Sequence, residues 1–303
     1  MRSFQLLLAG VVVLLSLGQG HCQQPASFRV GIELPNQVPV TRAVEEALRE
    51  MGISYVNFYT RTFAVSTDQP EMATYTAQAH LCARLGLDFS LACAQADPAD
   101  EVVRAAVERN NGEQLPGRFR GVVFDELEHC RLLNYARPQP LADWKTFRAL
   151  DQAYEESVVG FRRLHDKFAA LGAPVVATHV FPVLLHAAAR AGFTPCPKIC
   201  KETYSSVSLA TGLGASRQYG RPLWVDCDLW FYDLVPGHDA EEFRSNLLLA
   251  YWLGAETVYV EGSGFNLLPA GTQGTPFALV NVITYDRYQL TPHGEVLRWF
   301  CRE

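Results

Sequence analysis

Four short stretches of the chain repeat one join: "EMGISYVNF" (50–58), "RLGLDFSLA" (84–92), "ALGAPVVAT" (170–178) and "WLGAETVYV" (252–260). In each, a helical pattern ends on a large apolar residue, a glycine follows, and a short apolar run begins. Glycine takes the left-handed conformation that closes a helix without a Cβ clash. A join that recurs along a chain means helices that keep returning to strands. Such a chain builds a sheet whose parallel strands are linked by helical crossovers.

The apolar runs predict strands at 28–34, 53–59, 87–93, 120–126, 174–180, 198–204, 222–228 and 256–262. Helical patterns lie between them, among them "VTRAVEEALREM", "DAEEFRSNLLLAYWL" and a long one over about 141–171. Strand starts are about 25 to 50 residues apart, room for a crossover helix each time. Eight strands alternating with helices predict an α/β fold, a (β/α)₈ TIM barrel, as a single domain over 25–303. An open doubly wound sheet is the alternative. It usually carries a glycine-rich phosphate turn after its first strand, and "ELPNQVP" has no such glycines.

The N-terminus reads as a signal peptide over residues 1–20: Arg2, an apolar run from Phe4 to Leu17, and small residues at Gly18 and Gly20. That run is shorter than the roughly 20 residues of a membrane span, and no second one follows. His21 before Cys22 favours cleavage near Gly20 over lipid attachment. The expected location is secreted or periplasmic. A net charge of −6 gives no basic surface for a nucleic-acid partner. Eight cysteines in an exported chain predict disulfides, with Cys196 and Cys200 of "CPKIC" as the one close pair.

In a (β/α)₈ barrel, chemistry is done at the C-terminal ends of the strands. Acidic and aromatic residues collect there: Glu33, Tyr59, then Asp125, Glu126, Glu128 and His129 in "RGVVFDELEH", then His179, Glu202, Tyr204, Asp226, Asp228, Trp230 and Glu261. Strand alternation puts Trp224, Asp226, Asp228 and Trp230 on one face, Tyr259 and Glu261 on one, and Glu126 and Glu128 on one. Which face points inward is open, because barrel strands are buried on both sides. Each residue also has a structural reading. Asp125 can cap the next helix, His129 and His179 can be hydrogen-bonded core residues, and Trp224 and Trp230 can be core aromatics. Asp233 and His238 fall in a solvated loop. The acids as a set are what point to chemistry.

This pattern resembles the barrel glycoside hydrolases, whose paired carboxylates cleave glycosidic bonds; no single family's motif fits throughout. An acid/base after strand four matches Glu126 or Glu128, but Asp226 stands where a strand-seven nucleophilic Glu is usual, and Asp125 replaces the usual Asn. The D-x-x-D-x-D-x-E series of chitinase-like barrels survives only at its end. Barrels that cut α-linked sugars with a strand-four Asp and a strand-six acid would select Asp125 and Glu202. The resemblance implies an exported hydrolase of an oligo- or polysaccharide, without cofactor or metal. Asp125, Glu126, Glu128, Glu202 and Asp226 are its catalytic candidates, with Glu128 or Glu126 as proton donor to Asp226 or Glu202. Glu33, Tyr59, His179, Asp228, Trp230 and Glu261 are the candidates for substrate contact. Two rivals remain. One is a metal-dependent isomerase or lyase using Glu128, His179, Glu202, Asp226 and Glu261 as oxygen and nitrogen ligands. The other is a non-catalytic carbohydrate-binding barrel.

Overall fold

The computed structural model describes residues 28–34, 40–60, 71–93, 96–111, 117–128, 149–200, 204–229, 238–261, 265–267 and 278–303. The predicted signal peptide, Cys22, His129, Cys130, Glu202, Trp230, Asp233 and the first part of the long helix lie outside them.

Eight parallel strands close into a barrel in chain order. They are β1 (Arg29–Leu34), β2 (Tyr55–Tyr59), β3 (Asp88–Cys93), β4 (Phe119–Phe124), β5 (Val175–His179), β6 (Thr194–Ile199), β7 (Trp224–Asp228) and β8 (Thr257–Glu261). The crossovers include α1 (Arg42–Met51), α2 (Glu71–Leu85), α3 (Asp100–Asn111), α4 (Leu150–Ala169), α5 (Leu185–Ala191), α6 (Ser205–Tyr219) and α7 (Ala240–Trp252). β1 pairs with both β2 and β8, which shuts the ring. The (β/α)₈ barrel expected from the joins is therefore the fold. The joining glycines 52, 86, 172 and 254 all have φ between 69° and 81°, as the repeated grammar requires.

α1 shows how the sequence specifies these parts. Thr41 caps its first turn by accepting from the Val44 amide at 3.3 Å. Ala43, Val44, Ala47, Leu48 and Met51 form its buried stripe, and Gly52 ends it. Such stripes and the outward strand residues make one large apolar layer, in which Phe124 meets Phe168 and Phe193 edge-on at 5.4 and 5.8 Å. Each such ring contributes about 1.5–3 kcal/mol by leaving water.

The barrel interior is different. Tyr55, Val123, Val176, Cys196, Trp224 and Tyr259 form a separate cluster inside the ring. Alternation from these residues places Asn57, Tyr59, Asp125, Thr178, Lys198, Asp226, Asp228 and Glu261 on the inward face, higher toward the C-terminal mouth. The lower interior is largely apolar and the upper interior is polar.

Two expectations need correction. The sixth strand runs over Thr194–Ile199, not 198–204. It contains Pro195 and Pro197, which are two residues apart and so withhold amide donors from one neighbouring strand only. Cys200, at φ 64°, turns the chain out of the strand. Lys198 is therefore near the end of β6 rather than its start, and Tyr204 is an exposed residue beside α6. The predicted Cys196–Cys200 bridge is also absent: both thiols are free. Cys196 faces the barrel interior, while the turn at Cys200 swings that side chain into the outer layer, beside Cys227. Among the described residues, the other cysteines are free too.

After β8 the chain adds β9 (Phe265–Leu267), β10 (Val280–Thr284) and β11 (Arg287–Leu290), a small sheet in the order β11-β10-β9, then α8 (Pro292–Arg302). No helix among the described residues is long and apolar enough to cross a membrane.

Gly31 gives a test of the interior packing. A Cβ there would overlap the Tyr55 carbonyl and ring of the neighbouring strand. Gly31→Ala is expected to lower the unfolding free energy by about 1–3 kcal/mol in chemical denaturation. An unchanged midpoint would contradict the close approach of β2 to β1.

Candidate active site

Each strand contributes its inward residues at fixed heights, so groups far apart in sequence converge near the mouth. The centre of the convergence is Lys198 of β6, with no exposed surface. Its Nζ lies 2.6 Å from Glu261 Oε2, 2.9 Å from Asp125 Oδ1 and 3.2 Å from Asp228 Oδ2. Glu126 Oε1 is 3.4 Å away and Asp226 Oδ2 3.8 Å. An ammonium has three protons to donate. The nearest three oxygens can take them, leaving Glu126 and Asp226 to be drawn mainly by charge.

Register explains the gathering. Lys198 pairs with Asp226 across β6 and β7, and Asp228 pairs with Glu261 across β7 and β8. Asp125 and Glu126 follow β4 directly. Thr178 of β5 ties them in place: its Oγ accepts the Glu126 amide at 2.8 Å and lies 3.1 Å from Asp125 Oδ1. The Tyr59 hydroxyl donates to Asp125 Oδ2 at 3.3 Å. Asp125 thus meets an ammonium and two hydroxyls, a set that suits a carboxylate. Glu126 has φ 42°, a conformation rare outside glycine, which lets consecutive acids face one centre.

The site has a floor and a rim. Lys198, Asp226 and Asp228 have no exposed side-chain surface, whereas Asp125, Glu126 and Glu261 keep 9%, 21% and 13%. Five carboxylates around one ammonium cannot all ionise cheaply in a dry interior. Burial, then Asp125, pushes the Glu261 carboxyl well above the usual range, against the pull of Lys198. Burial pushes Asp226 up to about 7, with Asp228 and Asp125 acting the same way and Lys198 and Glu261 opposing. Asp226 and Glu261 offer oxygens within 4.8 Å of each other, and the Asp226 charge disfavours ionisation of Glu261. Burial also works against the ammonium of Lys198, but Asp125, Glu261, Asp228 and Glu126 outweigh it and hold the lysine well above its usual value.

The remaining sequence candidates separate clearly. Glu33, on β1, is buried and acts electrostatically on Tyr59, so it belongs to the same mouth. Glu128 is turned away from the ammonium's contact shell. Its Oε1 accepts the Val180 and Phe181 amides at 2.5 and 3.0 Å, capping the end of β5, and burial pushes it up to about 8. His179 is on the outward face of β5, its ring edge-on to Phe161 of α4 at 6.4 Å. Trp224 lies in the lower interior, 5.5 Å from the Tyr55 ring. His238 pairs with Glu242 at 2.8 Å beside α7. Glu202 and Trp230 fall outside the described residues.

Of the ligand set proposed for a metal enzyme, the structure brings together only Asp226 and Glu261 among the described members. With Asp125 they offer oxygens within 4.8 Å of one another, a spacing a cation can use. The Lys198 ammonium contacts all three, so the protein's own cation already fills the middle of that triangle.

The fold has known counterparts. The endo-β-1,4-mannanase of Thermotoga petrophila superimposes with a TM-score of 0.57 at 10% identity, over 91% of this chain and 77% of that one. The β-mannanase of Thermomonospora fusca does so at 0.52 and 12%, over 90% and 89%. The citrate lyase β subunit of Mycobacterium tuberculosis aligns at 0.45 and 10%, over 92% and 98%. No protein-family model and no curated protein matches the sequence. The chain shares the (β/α)₈ barrel fold of these two mannanases.

The buried acids predict a pH dependence of stability. Folded Glu128 and Asp226 keep protons up to about 8 and about 7, where unfolded carboxyls release them near 4.5 and 3.8. The folded state therefore binds more protons across this window, and stability falls as pH rises through it. Glu128→Gln keeps an oxygen for the two amides and is expected to flatten the slope by up to about 1.4 kcal/mol per pH unit. Urea midpoints between pH 5 and 8 test this. Stability that climbs with pH in that interval would contradict it.

Proposed function

We propose that the protein is an exported glycoside hydrolase in which Glu261 donates the proton and Asp125 is the carboxylate that attacks. The observation that carries this reading is the pair itself: two rim carboxyls from opposite parts of the ring, one pushed toward its protonated form and one held by three donors. Cleaving a glycosidic bond needs one acid to protonate the leaving oxygen and one carboxylate to stabilise or attack the anomeric carbon. Glu126, the most exposed of the five, is assigned to substrate contact along with Tyr59 and Glu33. Asp226 and Asp228 lie beneath as the support that keeps Glu261 protonated. This moves the proton donor from strand four to strand eight relative to the sequence reading, because Glu128 is engaged with the β5 amides.

Asp125 and Glu261 bring carboxylate oxygens within 4.8 Å of each other. Glycosidases whose carboxyls stand about 5–5.5 Å apart attack directly and retain configuration, whereas those leaving room for water invert it at roughly 6.5–9.5 Å. The short spacing supports the retaining course. The substrate class is a polysaccharide, and β-1,4-mannan, the substrate class named for the fold neighbours, is the first to try. Localisation by the N-terminal signal segment belongs to the same proposal.

Asp125→Asn and Glu261→Gln are each expected to reduce kcat by about 10²–10⁴-fold, and NMR of the first product should show retained anomeric configuration. Full activity in both variants would exclude the assignment. Glycan binding without turnover by the unaltered protein would instead favour a carbohydrate-binding barrel.

A further inference from the structure

We propose that Lys198 is a positioning residue, a tethered cation that holds the carboxylates of β4, β7 and β8 in their working arrangement and fixes how many protons they share. The inference deepens the hydrolase reading and takes its reaction from it, but the property it assigns is measurable without turnover.

Below Lys198 the interior is the cluster of Tyr55, Val123, Val176, Cys196, Trp224 and Tyr259. The side chain is fully buried, and every ion pair it makes is with an acid near the mouth. A lysine stem supplies the reach from β6 to β4 on one side and β8 on the other. Among the described residues, the charged and titratable groups around it are Glu33 of β1, Tyr55 and Tyr59 of β2, Asp125, Glu126 and Glu128 after β4, Cys196 of β6, Asp226 and Asp228 of β7, and Tyr259 and Glu261 of β8. Arg29 stands at the base of the barrel, held by Thr257 and Glu256. Among the described residues, Lys198 is the cation whose ammonium contacts the acid group.

The Lys198 ammonium lies within 4 Å of five carboxylates and lowers the cost of ionising each of them. With no cation, mutual repulsion in the dry interior drives the acids to take up protons, and the attacking carboxylate is lost. A fixed charge touching both Asp125 and Glu261 favours one ionised and one protonated carboxyl a few ångströms apart. Its role is to set the state of Asp125 and Glu261, not to touch substrate.

Lys198→Met keeps the stem and removes the charge. Carboxyl ¹³C resonances of the variant are expected to show at least one additional protonated acid at neutral pH. If the chain hydrolyses glycan, the acidic limb of its pH–rate profile should move up by a unit or more and kcat should fall at least tenfold, with KM little changed. Lys198→Ala with added ethylammonium provides the second arm. The amine is expected to restore folding or activity, and calorimetry in buffers of different ionisation enthalpy should show proton release as it binds. Ethanol, a neutral molecule of similar size, should do neither. A folded Lys198→Met with unchanged carboxyl resonances would overturn the proposal, as would failure of both variants to fold even in ethylammonium. A proton count that responds as expected in a protein that cleaves no glycan would sink the hydrolase reading and leave the role of Lys198 intact.

Discussion

A lysine ammonium with no access to water stands among five carboxylates near the mouth of the barrel, and the distinctive features of the upper interior follow from keeping it charged. Burying an ammonium alone costs several kcal/mol even after relaxation, and burying carboxylates alone is no easier. Each sign makes the other tolerable. Close contacts to Glu261, Asp125 and Asp228 use the three ammonium protons, while burial pushes Asp226 and Glu261 toward their protonated forms and so lessens the excess negative charge. Removing one partner from such a network is therefore far more damaging than its surface counterpart would be.

The fold makes this arrangement affordable by separating tasks between the two faces of each strand. Outward residues such as Phe124, Ile199, Val225 and Val260 join the helices in one continuous apolar layer. That layer stabilises the ring and leaves the inward residues free to be chosen for chemistry. Inside, the lower level is filled by Tyr55, Trp224, Tyr259 and smaller residues, which close the barrel below Lys198. Rigid strands then fix the acids to within the spacing that acid and base work needs, and the loop-borne Glu126 completes the rim.

Much of the architecture was legible because it rests on local rules. The recurrent glycine joins predicted helix ends that the backbone confirms, and seven of the eight strands fall on or inside the predicted runs, give or take a residue. The gathering of Asp125, Glu126, Asp226, Asp228 and Glu261 followed from their places at strand ends. What was missed turns on β6. "RAGFTPCPKI" also passes from a helix through a glycine to a strand, but Ala191 replaces the large apolar residue, Gly192 has φ 121°, and Pro195 and Pro197 read as loop and displaced the strand by four residues. That shift put Lys198 at the wrong end of the barrel and Glu202 in its place. Alternation along the correct strand would have aligned Lys198 with Cys196 on the inward face. Glu128 and His179 were not separable from the site by pattern, since their backbone and ring partners lie on neighbouring elements. The Cys196–Cys200 expectation failed because a close spacing carries no information on which side of a strand each thiol lies.

The carboxylates and the buried cation form one electrostatic unit, and the proposed chemistry is what such a unit can do when a glycan enters from above. Its central claim is that Lys198 stays charged without water because the acids of β4, β7 and β8 surround it. The most direct measurement is a titration of the Lys198 side chain by NMR, with Lys198→Met identifying its resonance. The account predicts that the ammonium remains protonated well beyond the usual lysine value of 10.5. Deprotonation at or below that value would contradict it.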